Sequence, residues 1–256
     1  MKNILVVDDD RNMNDLVSRV LKGKLKCRVT SVYNGIDAFV HLHKEVFDLI
    51  ILDISMPLVH GIEILEILKS DQKFSHIPVA MMTANREKEI IAKLISLGII
   101  DFIAKPISLD IVYSKLREIL EKLDKLEKPE EKIDTTIVFD ENKFLVADVR
   151  KDLVEMFNGS VGGMETLTTD SGLEALKYFI KERPGTVYLG KNLPIVNEKL
   201  LIKTFRSLGD GKKLKIFVAR ENTKLTVEEQ KNIDSVVELK ENASEQFDLI
   251  KNVVEN

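Results

Sequence analysis

The first 127 residues alternate between short apolar runs and longer stretches in which apolar side chains recur every three or four positions. The short runs fit β-strands, and the periodic stretches fit amphipathic helices. Their regular alternation predicts five βα units wound around a parallel sheet. The predicted strands cover residues 4–7, 28–32, 49–52, 79–82 and 99–104, and the predicted helices cover residues 12–22, 36–45, 61–71, 86–97 and 108–127.

Residues 135–256 repeat this order of elements, which predicts a second domain of the same class. Its first strand is predicted over residues 135–139, followed by a helix over 142–157. A competing assignment puts that strand at 144–147, ending in Asp148. The earlier strand is preferred because it leaves one extra helical turn as the main difference in length. The whole chain is then an α/β protein with two doubly wound (βα)5 domains in tandem, each with a parallel five-stranded sheet.

The boundary between the two halves is predicted at residues 128–134. This stretch is polar, and its Pro129 cannot continue the preceding helix. The predicted domains are therefore 1–127 and 135–256, joined by the linker 128–134. A length of 256 residues agrees with two domains of about 100 to 200 residues each.

Composition narrows the class of protein. No apolar run approaches the roughly 18 residues of a membrane span. The single cysteine, Cys27, fits a reducing cytoplasm. With 38 basic and 42 acidic residues, no Trp and neither half basic, the chain lacks the features of a nucleic-acid-binding protein. We therefore expect a cytoplasmic protein that binds neither nucleic acid nor membranes.

Polar residues follow four of the predicted strands. Asp8 and Asp9 follow the first strand, and Asp53 follows the third. The fourth and fifth strands end at Thr83 and Lys105. Because ligands bind at the carboxyl ends of parallel strands, we expect these groups to share one crevice. Carboxylates that converge must share a proton, bind a hard cation or face a fixed positive charge.

This set of groups predicts phosphoryl transfer to a carboxylate. Asp53 stands alone at the end of the central strand, so it is the predicted nucleophile. Asp8 and Asp9 would bind Mg²⁺ together with it. Thr83 would donate a hydrogen bond to the incoming phosphoryl group, and Lys105 would pair with its charge.

Four motifs carry a family resemblance. They are Ile-Leu-Val-Val-Asp8-Asp9-Asp, Ile-Leu-Asp53-Ile-Ser-Met-Pro57, Met-Met-Thr83-Ala and Ala-Lys105-Pro106. By these motifs and their spacing, residues 1–127 resemble the receiver domain of response regulators in bacterial two-component signalling. The resemblance implies a flavodoxin-like fold.

The resemblance also implies roles for individual residues. Asp53 would be the phosphoacceptor, and the backbone carbonyl of Ser55 would join Asp8 and Asp9 around Mg²⁺. Phe102 falls at the position of the family's switching aromatic residue. The implied partner is a histidine kinase or a phosphotransfer protein. The implied activity is not that of an enzyme, apart from self-catalysed phosphotransfer and dephosphorylation.

The second half has lost most of these groups when the halves are aligned on the Met-Pro and Leu-Pro pairs of their third loops. Gly190 replaces the phosphoacceptor, and Ala219 replaces the hydroxyl. Asp140 and Glu141 are the predicted remnant of the acidic pair, and Lys240 is the predicted remnant of the lysine. The second half then resembles a degenerate pseudo-receiver domain that acts through a protein partner or self-association. An unrelated α/β domain is the alternative.

One enzyme class competes for the first half. Asp8 and Asp10 also match the Asp-x-Asp motif of haloacid-dehalogenase-like phosphatases, in which Asp8 would be the nucleophile. That family usually carries a small or hydroxyl residue two places after the motif, where this chain has Asn12. The phosphatase hypothesis also leaves Asp53 without a role.

Overall fold

The structure is a computed structural model that describes residues 1–57, 59–84, 87–105, 108–126, 138–208, 214–221, 224–226 and 229–255. The chain divides into two compact units, Met1–Thr135 and Thr136–Asn256. The predicted linker 128–134 lies outside the described residues. Within those residues, no helix is both long enough and apolar enough to cross a bilayer.

The described part of the first unit forms a five-stranded sheet flanked by helices. Its strands are β1 (Asn3–Val7), β2 (Arg28–Val32), β3 (Leu49–Asp53), β4 (Val79–Thr83) and β5 (Asp101–Ala104). Its helices are α1 (Arg11–Arg19), α2 (Gly35–Lys44), α3 (Gly61–Ser70), α4 (Lys88–Ser96) and α5 (Leu109–Leu123). The strands run parallel in the order β2-β1-β3-β4-β5, which confirms the doubly wound, flavodoxin-like sheet predicted for this half.

Continuous apolar strands form the centre of the first unit. Every residue of β3 and β4 is buried, because helices cover both faces of a parallel sheet. Two α-helices end at least three residues earlier than predicted. α1 stops at Arg19 and continues as one π-helical turn, Val20–Lys24. α5 ends at Leu123 instead of residue 127, since the amides of Lys125 and Leu126 bond three residues back in tight turns.

The second unit is built around a larger sheet. Its strands are β6 (Asp140–Ala147), β7 (Ser160–Val161), β8 (Met164–Thr169), β9 (Pro184–Leu189), β10 (Lys215–Arg220) and β11 (Ser235–Glu238). Its helices are α6 (Lys151–Met156), α7 (Gly172–Glu182), α8 (Glu198–Leu208) and α9 (Ala243–Glu255). The strand order is β11-β10-β9-β6-β8-β7.

The prediction of a purely parallel, five-stranded second sheet is wrong. β7 adds a sixth strand that runs antiparallel to β8 at the sheet edge. Gly162 and Gly163 form the two-residue turn between them, with φ angles of 58° and 78°. Side chains rarely adopt such angles, so the glycine pair permits a hairpin where the first unit has a π-helical turn.

The predicted first strand of the second domain, 135–139, is also wrong in its described part. Its residues 135–137 lie outside the described residues. Residues 138 and 139 precede the first strand, and residues 144–147, which the prediction placed in a helix, form the buried end of β6. α6 begins only at Lys151. The competing assignment, a strand ending before Asp148, is correct. Four consecutive apolar residues fit a strand covered on both faces, whereas an amphipathic helix would expose part of such a run.

The two units nevertheless share their layout. The order β8-β6-β9-β10-β11 in the second repeats β2-β1-β3-β4-β5 in the first. The loops after β3 and β9 also contain the same tight turn. The Val59 amide donates to the Pro57 carbonyl oxygen at 2.9 Å, and the Val196 amide donates to that of Pro194 at 2.7 Å. Ile195 lies at φ 67° in this turn, a costly angle for a β-branched residue.

Candidate functional site

Three carboxylates meet at the carboxyl edge of the first sheet. Asp53 is the last residue of β3, and Asp8 follows the paired strand β1. Oxygen atoms of Asp8, Asp9 and Asp53 all lie within 4.8 Å of one another. Asp8 and Asp53 are buried, and Asp9 is exposed. The structure confirms that these three acidic residues share one pocket.

A lysine from the loop after β5 reaches into this pocket. The Lys105 Nζ lies 2.7 Å from a carboxylate oxygen of Asp53 and 2.9 Å from one of Asp8. Burial alone would lower the pKa of Lys105, but its hydrogen bonds to Asp53 and Asp8 outweigh burial and raise that pKa. The ammonium therefore stays charged and bridges the two buried carboxylates.

The charge of the pocket is only partly balanced by this lysine. Burial raises the pKa of the Asp8 carboxyl, and the charge of Asp53 raises it further, although the hydrogen bond from Lys105 opposes both. Three carboxylates and one ammonium carry a formal charge of −2. One divalent cation would neutralise that charge, and Mg²⁺ prefers such oxygen ligands. The residues present therefore fit Mg²⁺.

Backbone amides orient the two buried carboxylates. The Asp10 amide donates to Asp8 Oδ1 at 2.9 Å, and the Ser55 amide donates to Asp53 Oδ2 at 3.1 Å. Asp10 itself caps α1 by accepting from two amides of its first turn. These bonds hold each carboxylate by one oxygen and direct the other oxygen toward Lys105.

Sequence patterns did not reveal the residue that supports this loop. Asn14 is fully buried on α1. Its side-chain amide donates to the carbonyl oxygen of Val32 at 2.9 Å and to that of Asp8 at 3.2 Å. It thereby ties the loop after β1 to the end of β2. No motif marked this position, because an Asn within a helical pattern is ordinary until its neighbours are known.

Thr83 and Phe102 lie on neighbouring strands at different heights. Thr83 is the buried last residue of β4, at the same edge as Asp53. Its carbonyl oxygen accepts from the Lys105 amide at 2.7 Å, which links the loop after β5 to β4. Phe102 is half-buried on β5 and lines a surface cavity of about 380 Å³ together with Ile111 of α5.

The second unit has a different polar cluster at the corresponding edge. Asp148 follows β6 as Asp8 follows β1, and it is fully buried. Arg150 forms two parallel bonds to it, with Nε at 2.9 Å and a terminal nitrogen at 2.8 Å. The Tyr188 hydroxyl donates to the same carboxylate at 3.2 Å. Burial and the nearby Asp148 charge raise the pKa of Tyr188, so it remains a donor.

Arg150 also links this cluster to the loop after β11. Its remaining terminal nitrogen donates to the carbonyl oxygen of Lys240 at 2.8 Å, in the loop after β11. Hydrogen bonds to Asp148 raise the pKa of the guanidinium. Arg150 therefore joins the two loops that correspond to those of Asp8 and Lys105. The residue pattern did not reveal this pair, because the predicted first strand, 135–139, ends well before Asp148.

The predicted acidic remnant in the second unit is wrong. Asp140 and Glu141 lie at the amino end of β6, the opposite edge from the candidate site. Asp148 holds the position of Asp8, and Val149 follows where the first unit has its second acidic residue. Only one of the two acidic residues is therefore retained, and it is already paired.

Two further predicted counterparts are each one residue out of register. Strand pairing places Arg220 at the position of Thr83, one residue beyond Ala219. It likewise places Leu239 at the position of the first unit's lysine, one residue before Lys240. Neither the hydroxyl nor the lysine has a counterpart at the matching place.

The position of the phosphoacceptor leaves no room for a side chain. Strand pairing places Gly190 where Asp53 stands in the first unit. A Cβ on Gly190 would lie 2.3 Å from Asp148 Oδ2 and 3.0 Å from its Cα. The Asp148 side chain therefore occupies the space that an acceptor would need.

Comparisons with known proteins agree with the first-unit geometry. A family model described as the response regulator receiver domain matches residues 4–117. Chemotaxis protein CheY-3 of Vibrio cholerae is 32% identical over 120 residues, which are 47% of this chain and 92% of that protein. The chain belongs to the response regulator receiver family. The matched residues of the family model all lie in the first unit, which is its receiver domain.

Two further relatives cover the same share of the chain. Chemotaxis protein CheY of Pseudomonas aeruginosa is 27% identical over 121 residues, 47% of this chain and 98% of that protein. Among solved structures, CheY4 of Vibrio cholerae is 24% identical and covers 46% of this chain and 98% of its own, with a TM-score of 0.43. The residues matched by the family model, 4–117, make up less than half of the chain.

Proposed function

We propose that the protein is a response regulator that accepts one phosphoryl group on Asp53 from a phosphohistidine kinase or phosphotransfer protein. The observation that carries this proposal is the convergence of three carboxylates and Lys105 at the edge of a receiver-family sheet. Asp8, Asp9, Asp53 and the backbone carbonyl of Ser55 would hold Mg²⁺. When bound, Mg²⁺ would neutralise charge on the phosphoryl oxygens.

The proposed step forms one bond and breaks one. A carboxylate oxygen of Asp53 attacks phosphorus, the bond from phosphorus to the donor's imidazole nitrogen breaks, and that nitrogen keeps the electron pair. Lys105 already contacts the Asp53 carboxylate. After transfer, its ammonium would pair with the phosphoryl group instead of with that carboxylate. The Thr83 hydroxyl would move toward a phosphoryl oxygen and donate a hydrogen bond to it. Phe102 would change its position in response to that movement of Thr83. The protein acts on itself alone, so it is not an enzyme with an external substrate.

The first experiment incubates the full chain with radiolabelled acetyl phosphate and Mg²⁺. We expect one label per chain, located on Asp53 by mass spectrometry, and none in the Asp53→Asn variant. Chelation of the metal should abolish labelling as well. Label that persists in Asp53→Asn would refute the proposed acceptor.

A second variant separates this proposal from the phosphatase hypothesis. Asp8→Asn should weaken Mg²⁺ binding and slow labelling, yet any label should remain on Asp53. If Asp8 were the nucleophile of a haloacid-dehalogenase-like phosphatase, the wild type would carry its label on Asp8 and the Asp8→Asn variant would carry none. Asp8 is fully buried and accepts a hydrogen bond from Lys105. The phosphatase hypothesis gives no role to Asp53, so a label on Asp53 would decide against it.

We also propose that the second unit is a phosphorylation-independent pseudo-receiver that binds a partner protein or a second copy of the chain. The order of its five parallel strands, β8-β6-β9-β10-β11, and its Pro194 turn support this proposal, as does the Asp148–Arg150 pair in place of an acceptor site. The full-length Asp53→Asn chain should show no label and unchanged self-association when a phosphodonor and Mg²⁺ are added. Label on the second unit would refute the pseudo-receiver hypothesis. The cytoplasm is the proposed location, where histidine kinases present their phosphoryl groups.

A further inference from the structure

A ten-residue segment of the receiver domain carries an unusual concentration of positive charge. Arg19, Lys22, Lys24, Lys26 and Arg28 follow one another with no acidic residue between Asp15 and Asp37. We call these five basic residues the basic patch. In a chain with more acidic than basic residues, such a segment stands apart from the mixed charges elsewhere.

The backbone presents these side chains to solvent. The segment includes the end of α1, the π-helical turn Val20–Lys24 and the start of β2. Lys26 lies in the left-handed region at φ 56°, and all five basic side chains are exposed. Because β2 begins at Arg28, the basic patch lies at the amino-end edge of the sheet. The phosphoacceptor edge is at the other end of the strands.

The basic patch has almost no partner within the described residues. Asp15 is the one described carboxylate at ion-pair distance, 3.9 Å from Arg19. Lys24 lies over the ring of Tyr113 at 5.1 Å, and this contact leaves its positive charge uncompensated. Elsewhere in the same unit, lysines such as Lys93 pair with a carboxylate at 2.8 Å. The charge of the basic patch is therefore available to another molecule.

The fold does not require these charges. Cations near a helix carboxyl end stabilise the helix modestly, which concerns Arg19, Lys22 and Lys24 but neither Lys26 nor Arg28. The second unit makes the same connection, from α6 to β8, through residues 157–163 without any Lys or Arg. The repeated layout thus folds with a neutral hairpin at this place, so the positive charge of the first unit calls for another explanation.

We propose that the basic patch is a docking surface for a short acidic segment of a partner protein. Residues 1–128 contain 19 basic and 19 acidic residues, so without the five of the patch the remainder is 14 against 19, a net charge of −5. A nucleic-acid duplex or a bilayer is larger than the patch and would also meet this negative remainder. A short acidic segment would contact the patch alone, which favours it through charge complementarity.

The test measures binding of fluorescein-labelled octaglutamate to the full chain by fluorescence anisotropy. The triple variant Lys22→Glu, Lys26→Glu, Arg28→Glu should lose affinity by about tenfold or more. A matched control changes three exposed lysines of the second unit, Lys199→Glu, Lys231→Glu and Lys251→Glu, and alters the net charge equally. The control should lose less than about twofold.

Two further readings make the test specific. Affinity should fall as salt rises from about 50 to about 300 mM, because exposed charges are screened. Asp53→Asn should bind octaglutamate as the wild type does, since its site lies at the opposite edge. Equal loss in both triple variants would overturn the proposal, and so would the absence of patch-dependent binding. Patch-dependent binding that is tighter to duplex DNA or to phosphatidylserine vesicles would overturn the assignment to an acidic protein.

Discussion

At the carboxyl edge of each sheet, a buried aspartate follows the first strand of the unit, Asp8 in one and Asp148 in the other. The two aspartates differ in how their charge is balanced. Asp8 accepts from Lys105, which arrives from a different loop and also contacts Asp53. Asp148 is paired by Arg150, its neighbour two residues on, through two parallel bonds. Lys105 is shared between two carboxylates, and the negative charge of the pocket is only partly neutralised. Arg150 pairs with the carboxylate of Asp148 alone.

This difference separates a pocket with excess negative charge from one whose buried carboxylate is fully paired. A lysine ammonium is a point charge that can change partners, whereas a bidentate guanidinium is held in one geometry. In the first unit the excess negative charge leaves a place for a divalent cation. In the second unit Arg150 supplies the positive charge from within the chain and bonds to the Lys240 carbonyl oxygen as well. Arg150 therefore both neutralises Asp148 and fixes the loop after β11.

Removing Arg150 is the largest test of this comparison. Arg150→Ala would leave Asp148 buried without a charge partner, so we expect a loss of about 3–5 kcal/mol in the stability of the second unit. Urea unfolding followed by circular dichroism and hydrogen exchange would measure it. Lys105→Ala is the matched change in the first unit, and there Mg²⁺ should restore part of the lost stability. Recovery of Arg150→Ala by Mg²⁺ would contradict the distinction between the two sites.

An attempt to rebuild the acceptor should fail for steric reasons. Gly190→Asp places a Cβ within 2.3 Å of Asp148 Oδ2. We expect a loss of about 1–3 kcal/mol, as for other overpacked positions, and no phosphoryl label in the Asp53→Asn background. Gly190→Ala is the control, because it adds the same Cβ without a charge. It should show most of the stability loss expected for Gly190→Asp. Labelling of the rebuilt aspartate would show that the site is open after all.

The pH dependence of the receiver domain should reflect the carboxylate at Asp8. Burial and Asp53 raise its pKa, so the ionised form is less favourable in the folded than in the unfolded chain. The stabilising contribution of this group is therefore greatest below its ordinary pKa of 3.8 and falls as pH rises through the raised folded pKa. In metal-free buffer at neutral pH, Asp8→Asn should unfold at higher urea concentration than the wild type. A lower midpoint would mean that the bond to Lys105 outweighs burial.

The smallest effect is expected at the second acidic position. Val149 is 42% exposed, so Val149→Asp should change stability by no more than about 0.5 kcal/mol. It should not create Mg²⁺ binding, because Arg150 already neutralises Asp148. The reciprocal change, Asp9→Val, should leave the receiver domain folded but weaken Mg²⁺ binding, as calorimetric titration would measure. Metal binding gained by Val149→Asp would show that the arginine is displaceable.

The receiver domain was predictable from sequence to an unusual degree. Strands β1, β3 and β4 are largely continuous apolar runs, and each ends in, or is followed directly by, an acidic or hydroxyl residue. Lys105 follows β5 in the same way, so the pattern places both the strand and the group at its end. Asp8, Asp53 and Lys105 could therefore be brought together before any coordinates were known. Asn14 could not, since its importance rests on three carbonyl oxygens that only the folded loops bring to it.

The second unit shows where such inference fails. Residues 142–157 have apolar side chains at helical spacing, yet the buried run 144–147 forms the end of β6. That one shift moved the predicted acidic pair to Asp140 and Glu141, at the wrong edge. Periodicity could not decide between strand and helix for so short a run, because tertiary burial on both faces decides it.

By itself, the sequence determined the order of elements in the receiver domain, the polar groups at the ends of four of its five strands, and the absence of an acceptor at Gly190. These follow from local pattern and residue identity. Only the tertiary structure decided which aspartate of the second unit stands at the sheet edge, and that Arg150 pairs with it. It also showed that the basic patch lies at the edge opposite Asp53. These relations depend on strand register and on the direction in which each strand runs through its sheet. The spacing of residues along the chain determines neither.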